Sequence, residues 1–345
     1  MMQKLAMLRY IFFLTIMIGL FAVAVHGQMP ALSPLPGTGS LSAPANSTKF
    51  TFVVAGDNRP AHSSDPQPST PGEIFAAASK LSPAFVMWTG DTIYGKDPTA
   101  SVLQKEYTEF LGIAKTAGTP VFNAPGNHEL DDANDVPNAQ MLQYYTSYMG
   151  LPYGAFTYGN SRFITLNSEE QAPSGTTGTC SSDQAASSES AKDKDSKKDK
   201  KHKKDKPNAP GYIDPTQLNL LQQDLDANKT MAHILIFMHH PVEAVKCKDA
   251  LAEESVQALE ALFKNYSNVS YVISGHEHLY YNPQSKGKKG LDQPPNRTDP
   301  SQPPYYLVTG GAGAPLNSSP GGFYNYLVFK VDGAKIKAEM IQLKK

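Results

Sequence analysis

The sequence predicts an α/β layered fold with buried strands. Two observations carry that prediction. Short β-like apolar runs alternate with helix-like segments, and five of the runs end in residues able to bind a metal. The strand candidates are 50–55, 84–88, 120–123, 163–166, 233–238, 269–274 and 305–308. Two more, 325–331 and 334–343, read as a hairpin around Asp332-Gly333. The helix candidates are 72–81, 101–117, 139–149, 215–227 and 251–266. Asp214 and Pro215 suit the cap and first position of the fourth helix. No internal repeat is evident.

The ends and breaks of this pattern define the rest of the chain. Its 345 residues suffice for one large domain or two small ones. Lys4 and Arg9 precede an apolar run over 10–25 that ends in small residues, so 1–27 reads as a cleaved signal peptide and the protein as secreted or periplasmic. An uncleaved anchor is the alternative. The run is short for a full span, and no stable membrane anchor is expected after cleavage. Residues 28–48, rich in Pro, Ser, Gly and Ala, read as an unstructured linker to a domain over 49–345. Residues 168–210 pass into KDKDSKKDKKHKKDK and read as a disordered insertion; a polyanion-binding arm is the alternative. His202 lies in that run and is not a ligand candidate. Cys180 and Cys247, the two cysteines, can pair in an oxidising compartment and lack thiolate-site spacing. A net charge of −1 gives no reason to expect a nucleic-acid partner.

The chemistry sits where the apolar runs stop. The first ends in Gly56-Asp57 and the second in Gly90-Asp91. The third leads to Gly126-Asn127-His128-Glu129, the fifth to His239-His240 and the sixth to Gly275-His276-Glu277-His278. In open α/β sheets, sites form beyond the carboxyl ends of strands. Glycine before the first polar group permits a sharp turn and close backbone approach. Any one of these is a common turn or a hydrogen-bonded core histidine. Five in one chain point to a shared site.

These motifs, with the Gly-Gly-Ala-Gly-Ala-Pro stretch at 310–315, resemble the calcineurin-like metallophosphoesterase superfamily. The resemblance implies a four-layer αββα sandwich with two mixed β-sheets and a two-metal site. One feature departs from the commonest pattern. Where many members carry a metal-binding histidine two residues after the first Asp, this chain has Arg59, which offers no lone pair. Gly90-Asp91-Thr92-Ile93-Tyr94 matches the GDxxY of purple acid phosphatases, whose Tyr binds iron. Tyr94 packing in the core or at the rim is the alternative, and His62 is a weaker substitute ligand.

Carried over residue by residue, the resemblance gives Asp57, Asp91, Tyr94 and His278 to a first metal. It gives Asp91, Asn127, His239 and His276 to a second, with Asp91 shared. The cofactors expected are two metal ions, Fe with Fe, Zn or Mn. His128 matches a substrate-facing histidine that stabilises charge or protonates the leaving alcohol, a structural role being its alternative. Glu129 could orient His128 or only favour a helix start. Arg59 could bind phosphate in a fork or pair with a carboxylate. His240 falls beside a ligand, as a supporting or substrate contact. The implied activity is hydrolysis of small-molecule phosphate monoesters by an exported, acid phosphatase-like enzyme, through attack of a metal-bound hydroxide on phosphorus. A phosphodiesterase of the same superfamily and a non-catalytic binding protein on this fold are the rival readings.

Overall fold

A computed structural model describes residues 28–176, 178, 210–246, 249–287, 289–299 and 301–344. The expected signal peptide, both cysteines, the Lys-rich run and His202 lie outside the described residues.

Two mixed sheets face each other. The first holds β1 (Lys49–Ala55), β2 (Val86–Trp88), β3 (Val121–Asn123), β10 (Asn325–Asp332) and β11 (Lys335–Gln342), in the order β11-β10-β1-β2-β3. The second holds β4 (Gly154–Tyr158), β5 (Ser161–Thr165), β6 (His233–Phe237), β7 (Val269–Ser274), β8 (Tyr280–Tyr281) and β9 (Tyr305–Thr309), in the order β4-β5-β6-β7-β9-β8. In the first sheet β1, β2 and β3 run parallel, with Val54 beside Met87 and Met87 beside Phe122. In the second, β5, β6, β7 and β9 run parallel. The antiparallel members sit toward the outside. The strands β4 and β8 were not anticipated; they are only five and two residues long.

Side-chain alternation along each strand builds the layers. Phe52 and Val54 of β1 enter an aromatic core between the sheets, with Phe85, Phe122, Phe163, Phe237 and Phe329. Phe52 stacks on Phe329 with centroids 4.8 Å apart and meets Phe163 edge-on at 5.3 Å. Val53 and Ala55 face the other way, onto the helices α1 (Thr70–Ser79), α2 (Ala100–Ala114) and α4 (Ala139–Tyr148). A short α3 (Asn127–Leu130) precedes α4. The outer face of the second sheet packs on α5 (Pro215–Ala227) and α6 (Glu253–Phe263) through Leu221, Leu225, Leu259 and Phe263. The order is helix, sheet, sheet, helix, the four layers anticipated from the resemblance. The cap expected at Asp214 is present, its carboxylate accepting from the Gln217 amide at 2.8 Å. Among the described residues no helix is long and apolar enough to cross a membrane.

Residues 28–48 correct the expectation of an unstructured linker. The backbone of Pro30 and Leu32 bonds to both sides of Ala155, at 2.8 and 3.0 Å, and so extends the β4 edge. Further on, the Leu35 amide donates to the Val121 carbonyl at 2.7 Å, and the Thr38 hydroxyl accepts from the Val121 amide at 3.1 Å. One segment thus covers the open edges of both sheets on the same side of the sandwich. Met29, Leu32 and Leu35 are buried, one in each of the three cores.

Leu35→Ala is expected to lower the unfolding free energy by about 2–4 kcal/mol, the usual cost of truncating a buried leucine. Urea denaturation would measure it; a change below about 0.5 kcal/mol would show that this segment adds nothing to the fold.

Candidate metal centre

The predicted ligands other than Tyr94 follow directly on the ends of parallel strands, and the two sheets meet at these turns. The turns are sharp. Asp57, Asp91, His276 and His278 all have left-handed backbones, with φ of 63°, 53°, 70° and 49°. Such conformations cost non-glycine residues on the order of 1–3 kcal/mol each and persist where surrounding structure enforces them. Close approach excludes side chains between the turns. A Cβ on Gly126 would lie 2.5 Å from Asp91 Oδ1 and 2.6 Å from the Asp91 amide nitrogen.

Asp57, Asp91 and His278 form one donor group, their ligand atoms all within 4.8 Å of one another. His278 Nδ1 donates to the Pro315 carbonyl at 2.8 Å, since a carbonyl can only accept. Its Nε2 lone pair then faces Asp57 Oδ1 at 3.6 Å and Asp91 Oδ2 at 3.7 Å. Asp57 Oδ1 accepts the His276 amide at 2.9 Å, whereas Oδ2 is buried with no hydrogen-bond partner. Burial first, then the neighbouring Asp91, pushes the Asp57 carboxyl well above its usual range.

A second group adjoins the first. His239 Nδ1 donates to the Thr89 carbonyl at 2.7 Å, again turning Nε2 inward. Around that nitrogen stand Asp91 Oδ1 at 3.2 Å, Asn127 Oδ1 at 3.2 Å and His276 Nδ1 at 3.1 Å. Two imidazole nitrogens each about 2.0–2.1 Å from one cation would be about 3 Å apart at a right angle. The separation observed suits a shared ion, and the unpartnered Asp57 oxygen suits another in the first group. Asp91 belongs to both groups. Burial opposes its ionisation, but His128, His239, His278 and Arg59 together hold its carboxyl well below the usual range.

Glu129 corrects one expectation. Its carboxylate accepts from the amides of Asp91 at 3.0 Å, Thr92 at 2.5 Å and Gly126 at 2.7 Å, and from the Thr92 hydroxyl at 2.6 Å. It ties the turn after β2 to the turn after β3 and does not orient His128. The carbonyl of Tyr94 does that, by accepting from His128 Nδ1. The His128 amide donates to Asp91 Oδ1 at 3.2 Å, and Nε2 lies 3.9 Å from Asp91 Oδ2. Burial lowers the His128 ring to about 3, so it is neutral here, with its proton on Nδ1.

Arg59 pairs with Asp91, Nε to Oδ2, at 3.4 Å and also lines the cleft. Tyr94 is half-buried, its ring centroid 6.0 Å from that of His128 and 6.4 Å from that of the exposed His62. Tyr94 is absent from the cleft wall, and among the described contacts none joins its phenol to Asp57, Asp91 or His278. His240 is a second correction. It is buried behind His276, ring centroids 4.0 Å apart, with Nδ1 bonded to Glu169 Oε1 at 2.8 Å. It does not line the cleft, so substrate contact gives way to support of a ligand.

The cleft over these groups measures about 400 Å³. Sequence reasoning missed Lys246, Asp249 and the 315–318 rim among its lining residues, and gave no role to Glu277. Glu277 was visible inside its motif. Lys246 and Asp249 follow the His-His-Pro turn with no pattern to mark them.

The calcineurin-like phosphoesterase family model matches residues 50–280, and the chain belongs to that family of metal-dependent phosphoesterases. No curated protein matches it. Among solved structures it is similar to the purple acid phosphatase PPD1 from yellow lupin seeds, with 14% identity, a TM-score of 0.57 and 90% of this chain covered. It spans 53% of that longer protein. A dimetal phosphatase from Danio rerio is similar at 14% identity and a TM-score of 0.55, covering 86% of this chain and 100% of its own. GAP50, titled the anchor in the inner membrane complex of Plasmodium, is similar at 12% identity and a TM-score of 0.52, with 86% of each chain covered. At these identities the likeness is one of fold.

Buried carboxyls make the metal-free protein sensitive to pH. Burial, then Glu169, raises Asp131 to about 8; burial raises Glu129 and Glu277 to about 7. Each keeps its proton in the fold after the unfolded chain has released it, so its stabilisation is lost as pH rises through the folded value. Burial works against a charge on His240, but Glu169 outweighs it and raises the pKa, which adds in the same direction. Histidines with depressed values, such as His128 and His233, oppose this only below their ordinary 6.5. Metal-stripped protein should therefore lose stability from pH 6.5 to 8, and Asp131→Asn should flatten the slope. Urea midpoints across that window measure both, and a midpoint that rises with pH would refute the assignment.

Proposed function

We propose that this chain is an exported phosphatase that hydrolyses phosphate monoesters at a two-metal site. The observation that carries the reading is the pair of adjoining donor groups that share Asp91 beneath an open cleft. Asp57, Asp91 and His278 would hold one ion, with Tyr94 its further candidate ligand; Asp91, Asn127, His239 and His276 would hold the other. Carboxylate, amide and imidazole donors suit Fe, Mn or Zn, and Tyr94 is the residue that favours iron. When bound, the two cations supply Lewis acidity to the phosphoryl group and an activated water as nucleophile.

The chain's own groups do the rest. Arg59 faces the cleft beside Asp91 and offers its guanidinium to a phosphoryl oxygen. His128 lines the same wall, with its Nδ1 proton fixed on the Tyr94 carbonyl. A phosphate dianion beside Nε2 favours the imidazolium, which then donates its proton to the departing alcohol oxygen. Export is supported by the basic start and apolar run over 1–25.

Metal analysis and a visible spectrum of the purified protein, with p-nitrophenyl phosphate and bis-p-nitrophenyl phosphate as substrates, test this reading. Monoester preference with a charge-transfer band lost in Tyr94→Phe is expected. A colourless Zn or Mn protein that prefers the diester would replace it with a phosphodiesterase and remove Tyr94 as ligand. Asn127→Ala should lose one metal per chain. His128→Ala should keep both and lose about 10²–10⁴ in kcat, the usual span for general acid catalysis. Full activity in either variant would remove that residue from the site.

A further inference from the structure

Lys246 lies on the loop after β6, and that loop is fastened to the turn carrying His276 and His278. The amides of Val245 and Lys246 each donate to the Glu277 carboxylate at 2.8 Å, and Glu277 is the residue between the two histidines. The backbone of Lys246 is thereby held in register with the metal centre, and Lys246 is one of the residues that line the cleft. Other charged groups around the cleft have work of their own. Arg59 pairs with Asp91 at 3.4 Å, Asp249 faces His276 Nε2 at 4.0 Å, and both Glu277 oxygens accept backbone amides. Among the described residues, no carboxylate oxygen comes within 4.0 Å of the Lys246 ammonium. Arg59 follows β1 in the first sheet and Lys246 follows β6 in the second, so each sheet brings one cation to the cleft.

One phosphoryl group engages the donor groups, His128 and Arg59 and leaves Lys246 over. We infer that Lys246 binds a second anionic group on the alcohol side of the ester, so the site selects phosphate monoesters whose leaving group carries a carboxylate or another phosphate. A lysine suits that role. Its ammonium is a compact charge on a flexible stem and accepts an anion without demanding a planar geometry. The 315–318 rim forms another part of the wall beside which such a leaving group lies. This inference rests on the phosphoesterase reading above.

Glycerol 3-phosphate and 3-phosphoglycerate are matched in size and differ at one carbon, where a hydroxymethyl group becomes a carboxylate. With the metal-loaded full-length protein, kcat/KM should favour 3-phosphoglycerate by about tenfold, through KM, as for a hydrogen bond to a charged group. In Lys246→Ala the ratio should fall to near one, and Lys246→Arg should keep most of it. Equal kcat/KM for the two esters in the wild type, or a preference that survives Lys246→Ala, would overturn the assignment. p-Nitrophenyl phosphate separates the two failures. If it is hydrolysed while the matched pair show no preference, Lys246 alone loses its role. If no ester is hydrolysed, the phosphatase reading falls and this inference falls with it.

Discussion

Two buried carboxylates held against each other are the constraint around which the molecule is arranged. Asp57 and Asp91 are both nearly inaccessible, and one imidazole nitrogen of His278 lies within 3.7 Å of each. Without cations that arrangement costs free energy, through desolvation and through like-charge repulsion. The fold resists it with hydrogen bonds that do not depend on a metal. Glu129 accepts four donors and ties together the turns after β2 and β3. The carbonyls of Thr89 and Pro315 fix His239 and His278. These bonds fix the candidate ligand side chains through protein groups alone, as preorganised metal sites require. The strain of the site is stored in four left-handed residues spread over three turns rather than relieved by local collapse.

Such strain needs a rigid frame. Parallel strands buried on both faces supply it, because their carboxyl ends cannot shift without disturbing a close-packed core. The edges are the weak places of any sheet, and here they are covered. Residues 30–38 bond to β4 of one sheet and β3 of the other. On the far side Gln293, Asn296 and Arg297 bond to Met340, Ala338 and Ile336 of β11. These two straps join the sheets at opposite margins, which keeps the turns of one sheet in register with those of the other.

The site was more legible than its supports because each ligand sits immediately after an apolar run, where strand polarity alone decides which groups meet. The neighbouring pair His239 and His240 shows the physical rule at work. Successive residues leaving a strand point to opposite sides, so His239 reaches the other ligands while His240 turns toward Glu169. Glu129 was visible as a carboxylate at a helix start, but its four donors come from three residues in two turns and leave no pattern in the chain. The packed segment at 28–48 was hidden for a different reason. It binds through main-chain groups and three spaced apolar side chains, and neither gives a periodicity to read. Likewise β8, at two residues, is too short to separate from a loop by composition.

The residues on either side of 177–209 are tied to the candidate metal centre. The chain leaves the second sheet after β5 and returns at Gly211 and Tyr212, where Tyr212 pairs with Glu169 and its amide donates to Ser168 at 2.8 Å. Ser168 and Glu169 also bond to the backbone and ring of His240, which packs on His276. Gly211 lies so close that a Cβ there would be 2.5 Å from the His240 Cβ. The described residues at the two ends of the insertion are thus clamped beneath His276, a candidate ligand, rather than left hanging from the surface. An insertion anchored this way can change in length or composition without moving His276, because the clamp lies between them. The same clamp makes Glu169 a residue of the metal centre in all but contact. Its loss would leave a buried His240 without its partner, against the His276 ring that stands beside His239 in the candidate centre.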